Sequence, residues 1–261
     1  MFRLLFLSLL VAQAAVSGVA GAGTPPAGDR LVSLVPRGAG GSEACTRDRR
    51  WCVVLTQPEE GGAVRPALRA RGAAAPAPQP PAEDPDGGES QAVWPNLFVL
   101  GDCSFLAGVE TRSSTGYSGG GGSATGLRLF RVAAGGTAAA VPVLEVPLAA
   151  SLTIRACFGE RDMRRRRGAC HDEYGFSASL GLVPGSAAGE PVLRYATEAW
   201  NFPRGVSRAG DSTAMRPLQQ ADLVRQRDAR CSITRQFRFD AAAGAFRPDR
   251  PLPDCSDYTV P

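Results

Sequence analysis

Two stretches of this chain alternate apolar and small polar residues with a period of two, and that period restricts the fold more than any other feature. Leu148, Ala150, Leu152, Ile154 and Ala156 are interleaved with Ala149, Ser151, Thr153 and Arg155. Phe176, Ala178, Leu180 and Leu182 are interleaved with Ser177, Ser179 and Gly181. Successive side chains of a strand point to opposite faces, so this pattern describes strands with one buried face. Further strand candidates are Trp51–Thr56, Leu97–Leu100, Gly126–Ala133, Val141–Val146, the less regular Val192–Trp200, and Cys231–Asp240, where Ile233, Phe237 and Phe239 share a face. Pro217–Arg230 is the best helix candidate, with Leu218, Ala221 and Val224 on one side. Short strands separated by Gly and Pro predict an all-β fold, an antiparallel β-sandwich with long loops and one or two short helices. The domain is expected over residues 45–261, after a flexible lead at 23–44. Gln57–Val93 reads as a long exposed loop, because Pro removes ladder donors and Gly adds freedom. Ser113–Ser123 reads as a flexible turn.

Seven cysteines follow an N-terminal segment of secretory type: Cys45, Cys52, Cys103, Cys157, Cys170, Cys231 and Cys255. Arg3 precedes an apolar run from Leu4 to about Val19, with small-residue cleavage signals by Ala22, so residues 1–22 read as a signal peptide. No later stretch reaches the roughly 20 apolar residues of a membrane span. Exported cysteines pair, and disulfides staple the domain. The odd count leaves one thiol free or joining two chains, so the protein is a monomer or a disulfide-linked dimer; spacing does not choose the partners. No Cys-x-x-Cys is present, and the single His171 cannot complete a zinc site, so neither metal nor cofactor is expected.

Every one of the 29 basic residues is arginine, against 25 acidic ones, for a net charge of +4. A balance this close argues against a dedicated nucleic-acid binder. Catalysis through a nucleophile–histidine pair would have to use His171, beside Cys170 and Asp172-Glu173 in an expected loop, and no Gly-x-Ser-x-Gly accompanies it. No enzyme motif is present, and the protein reads as non-catalytic. Arg164, Arg165, Arg166 and Arg167 form the sharpest charge feature. Three readings stand: contact with sulfated glycosaminoglycans, proteolytic cleavage after Arg167, or a solvated loop neutralised by Glu160, Asp162, Asp172 and Glu173. Neither Asn96 nor Asn201 begins an N-glycosylation sequon.

The order of landmarks resembles the secreted chemokine-binding proteins of poxviruses, β-sandwich proteins in which two early cysteines precede a long acidic loop. Cys45 and Cys52 precede Gln57–Val93; NLFVLGDCSF carries Cys103 beyond it; SLTIRAC ends at Cys157; and CSITRQFRFDAAAGAF resembles the family's Cys-led strand and hairpin. The resemblance spans about residues 45–258. A family cysteine upstream of the Ile-Arg-Cys strand has no counterpart here, where Leu148-Ala149-Ala150 stands. What the resemblance implies is capture of host chemokines, the CC class favoured, with Glu83, Asp84, Asp86 and Glu89 as the acidic loop. A sister group binds granulocyte–macrophage colony-stimulating factor and interleukin-2 through a Trp-x-x-Trp motif; Trp51, Trp94 and Trp200 are dispersed here. Such a cytokine-binding inhibitor is the alternative within the superfamily. A secreted hydrolase or a structural envelope protein is the alternative outside it.

Overall fold

The computed structural model describes residues 29–37, 39–57, 63–71, 88–133, 136, 138–184 and 190–260. In chain order the strands are β1 (Arg30–Ser33), β2 (Val35–Arg37), β3 (Glu43–Cys45), β4 (Trp51–Thr56), β5 (Arg65–Ala70), β6 (Ser90–Val99), β7 (Phe105–Tyr117), β8 (Gly120–Val132) and β9 (Leu144–Arg155). Helix α1 (Glu160–Arg165) follows, then β10 (His171–Leu182), β11 (Leu193–Phe202), β12 (Gln226–Arg227), β13 (Thr234–Asp240), β14 (Ala245–Pro248) and helix α2 (Ser256–Thr259). The strands form two antiparallel sheets. A ten-stranded sheet runs β1-β6-β7-β8-β9-β10-β11-β13-β14, with β12 beside β11, and a four-stranded sheet runs β2-β3-β4-β5. The fold is therefore all-β, with two short helices, as the alternation predicts.

The core explains which strands alternate. Leu34, between β1 and β2, and Ala44, Val53, Leu55 and Leu68 of the small sheet pack on Leu97, Val99, Ala107, Val109, Phe130 and Val132, covering one face of β6–β8. The opposite, inner face of the same strands contributes Phe98, Leu106, Leu127 and Leu129 to a second cluster with Leu180, Leu193, Tyr195, Phe237 and Phe246. Strands β6 and β7 are thus buried on both faces over this half and read as near-continuous apolar runs, while Arg128 and Arg131 interrupt β8. Strands β9 and β10 bury only the even-numbered side. Ala150, Leu152, Tyr174 and Phe176 pack there against Val206, Cys231 and Tyr258 from the C-terminal segment.

Several expectations need correction. The lead at 23–44 is strand from Arg30: β1 pairs with β6 (Leu31↔Phe98), and β2 pairs with β3. Their partners lie far away or in equally short strands, so no local pattern marks them. The expected loop at 57–93 contains β5, and β6 begins at Ser90. Pro66 fits β5 because that strand is at a sheet edge, where a missing N–H breaks no ladder. Ser113–Ser123 is a paired hairpin whose ladder runs to Tyr117↔Gly120. Gly120 (φ +155°) lies so close to β9 that a Cβ there would sit 1.9 Å from the Thr153 carbonyl oxygen. The strand expected at 141–146 begins at Leu144 and continues as β9, with a register shift against β8 beside Pro147. The helix expected at 217–230 is a 3-10 turn at Gln220–Asp222 followed by β12. Of its apolar stripe only Leu218 is buried, and its N–H donates to the Arg165 carbonyl instead of a helical ladder. His171 opens strand β10 and is exposed.

Three disulfides join Cys45–Cys52, Cys157–Cys170 and Cys231–Cys255. Cys103 is the free cysteine, exposed and with φ +65°. No helix among the described residues is long and apolar enough to cross a membrane. The expected signal peptide at 1–22 lies outside the described residues.

Candidate functional site

The acidic segment ends where β6 begins. Glu83, Asp84 and Asp86 lie outside the described residues. Glu89 is exposed just before β6, and its carboxylate accepts a hydrogen bond from Gln91 Nε2 at 3.0 Å. It lines an open groove with Thr111, Thr125, Arg128, Glu145 and Thr259. Glu145 stands opposite Arg128 in the β8–β9 ladder. The groove holds two carboxylates and a guanidinium, groups that can bind a charged partner. Arg65 and Arg69, sequence neighbours of the acidic run, belong to β5, and Arg69 is ion-paired with Glu43. They are part of the small sheet rather than the loop.

The ladders of β9, β10 and β11 carry a second exposed face, on the opposite side of β8 and β9 from Arg128 and Glu145. Ser151, Gly175 and Trp200 make one cross-strand row, and Ala149, Ser177 and Glu198 the next. Ala149, Ser151, Ser177, Ser179 and Glu198 are exposed. Ser123 of β8 extends the first row, its hydroxyl 3.1 Å from that of Ser151. Trp200 lies flat over Gly175, where a Cβ would come within 2.3 Å of the indole. The Arg225 guanidinium stacks 4.0 Å from the Trp200 ring centroid, a cation–π contact. The result is a flat, small-residue face with one aromatic platform at its edge. Sequence reasoning missed Trp200 and Arg225; glycine inside an alternating strand, the mark of a close neighbour, was the available signal.

The arginine run is divided between interior and surface: Arg166 is buried and Arg165 half-buried, while Arg164 and Arg167 are exposed. Arg166 is buried, ion-paired with buried Asp172, and donates to the Ala169 carbonyl at 2.8 Å and the Ser212 carbonyl at 3.2 Å. Arg165 donates to the Met215 carbonyl at 2.6 Å. Arg164 pairs with Glu160 at 3.1 Å, and Arg167 reaches Gln220 at 3.4 Å. The run is therefore the end of α1 and its C-terminal turn, closed beneath by Cys157–Cys170, and not a solvated loop. Nearby, Arg216 grips Asp222 through bonds of 2.7 and 2.9 Å. That grip, with the Gln219 N–H, holds the Asp222 carboxyl down at about 2. Burial pushes the Tyr174 and Tyr195 phenols well above their usual range.

Glu43, Cys45 and Cys52 bring their ligand atoms within 4.8 Å of one another. Both sulfurs are consumed in a disulfide and Glu43 is paired with Arg69, so the cluster offers no thiolate to a metal. Comparison with protein-family models, with curated proteins and with solved structures finds no match for the chain.

Proposed function

We propose that this chain is a secreted, non-catalytic decoy of viral type that captures host chemokines by their basic, receptor-facing surface. Two observations support the reading: Glu89, at the end of the acidic segment, lines a groove with the exposed Glu145, and the opposite side of β9 carries the exposed small-residue face of β9–β11. A small cationic protein would be steered to the sheet by Glu83, Asp84, Asp86 and Glu89 and then seat on the small-residue face, whose edge is closed by Trp200 under the Arg225 guanidinium. Three disulfides suit an oxidising compartment, and the landmark order resembling poxvirus chemokine-binding proteins favours chemokines over other cationic ligands.

The test is surface plasmon resonance of the mature protein against chemokines and helical cytokines. Basic chemokines should bind with an association rate that falls as salt rises from about 0.05 to 0.5 M, since exposed charges are screened over roughly 10 Å at 0.1 M. Glu83→Gln, Asp84→Asn, Asp86→Asn and Glu89→Gln together should slow association. Ser177→Arg, placing a cation on the face, should speed dissociation. Unchanged kinetics in both variants would remove loop and face from the reading. Binding confined to an acidic helical cytokine would reverse the choice of ligand.

A further inference from the structure

Three arginines far apart in sequence meet on the outer face of the large sheet, at the end remote from α1. Arg238 of β13 stands directly opposite Arg247 of β14, and both are exposed. Directly opposite residues of an antiparallel pair share a face, with Cβ atoms about 4.5–5.5 Å apart, and like charges there are destabilising. Arg194 of β11 stands opposite Gln236, two residues before Arg238, so it lies diagonal to Arg238 on the same face, about 7–8 Å away. It too is exposed. None of the three has an ion pair among the described residues.

Among the described residues, none of the nearby carboxylates is ion-paired with these arginines, and the Asp249 carboxylate borders the cluster, where it lowers the local positive charge by one. Asp240 accepts from the N–H groups of Ala242 and Ala243, Asp249 from the N–H of Gln236, and Glu190 pairs with Arg131. The adjoining residues 185–189, which lie outside the described residues, carry no charge in their sequence. This contrasts with the arginine run at 164–167, whose charges are largely spent on Glu160, Asp172 and backbone carbonyls.

We infer that Arg194, Arg238 and Arg247 form a binding site for the sulfate groups of an extracellular glycosaminoglycan, at the far end of the sheet face that carries Ser177 and Glu198. Guanidinium groups present forked donors to tetrahedral oxyanions, and two of them held opposite each other match a multiply charged group better than a lone carboxylate. A bound sulfate removes the repulsion that the free protein carries across β13–β14. Phosphate polymers share the oxyanion chemistry. The disulfides favour the sulfated glycan, because they belong to the oxidising compartment where such chains occur.

The test is binding of the full mature protein to immobilised heparin across salt. Three arginine contacts predict that log affinity falls with log salt with a slope of about −2 to −3, by analogy with counterion release from other polyanions. Arg194→Thr, Arg238→Thr and Arg247→Thr together should flatten the slope to near zero. The melting temperature of that variant should be equal or higher, because a like-charge pair is gone. Arg161→Ser, Arg164→Ser and Arg167→Ser, at the other end of the sheet, should bind as the parent does. Absence of heparin binding in the parent, or loss in the α1 variant but not in the sheet variant, would overturn the site. Equal binding to desulfated heparin, duplex DNA or phosphatidylserine vesicles would overturn the sulfated ligand.

Discussion

Asp172→Asn tests whether the arginine run is a structural clasp rather than a surface label. Arg166 and Asp172 have side chains only 5% and 6% exposed, and the guanidinium also serves the Ala169 and Ser212 carbonyls. Neutralising the carboxylate leaves a buried guanidinium with two neutral acceptors and no counter-charge. Breaking a buried pair from one side costs about 3–5 kcal/mol, a large part of the roughly 5–15 kcal/mol that holds a domain. Urea unfolding should register that loss. The cost also falls locally, because the Arg165 and Arg166 contacts tie α1 to the 212–218 segment. Local opening of α1 and its C-terminal turn should therefore rise by roughly 10²- to 10³-fold, and trypsin cleavage between Arg164 and Gly168 with it. Cleavage falls inside the Cys157–Cys170 loop, so the product runs as one band without reductant and two with it. Replacing both partners with apolar residues, Arg166→Met with Asp172→Leu, should recover most of the stability. If Asp172→Asn loses less than about 1 kcal/mol and its cleavage is unchanged, the clasp is refuted.

Other consequences follow from single contacts. Gly120→Ala forces a Cβ toward the Thr153 carbonyl and should destabilise the β8–β9 ladder by about 1–3 kcal/mol or more in denaturant melts. Gly175→Ala should lift Trp200 off the sheet, seen as a red shift and altered quenching of tryptophan emission, with the Arg225 stack lost. The Asp222 carboxyl sits at about 2 in the folded chain against 3.8 for the free group. A depressed carboxyl stabilises the fold above its unfolded value and loses that contribution as pH falls, so stability should decline from about 4 toward 2. Asp222→Asn should flatten that segment of the urea-midpoint profile. Cys103 should react with a thiol reagent in the native protein, at one equivalent per chain, while the other six cysteines require reduction first.

What the sequence disclosed tracks how each strand is buried. β9 and β10 bury one face and expose the other, so their alternation identified strand and inward residues together. β1, β2 and β5 carry too few apolar residues to show a period. They are strands because the backbone ladders of distant partners satisfy them, a cause no local window contains. The Ser/Gly hairpin of β7 and β8 fails for a related reason: small residues hide the pattern, while pairing on both sides of β8 makes the backbone regular.

The same logic decides which charges act at the surface. Arg164–Arg167 stand out because they are contiguous, yet contiguity places one of them beneath its own turn, where burial demands a partner and Asp172 supplies it. Arg194, Arg238 and Arg247 are inconspicuous in sequence, separated by long intervals, and only the β11-β13-β14 order sets them side by side. Glu89 and Glu145 likewise become neighbours only through the strands that frame their groove. In a lysine-free chain with nearly balanced charge, electrostatic character is therefore assigned by sheet topology rather than by runs. A protein of this kind can present an acidic groove and a cationic edge on one sheet while its net charge stays small, and each can engage a partner of opposite sign without neutralising the other.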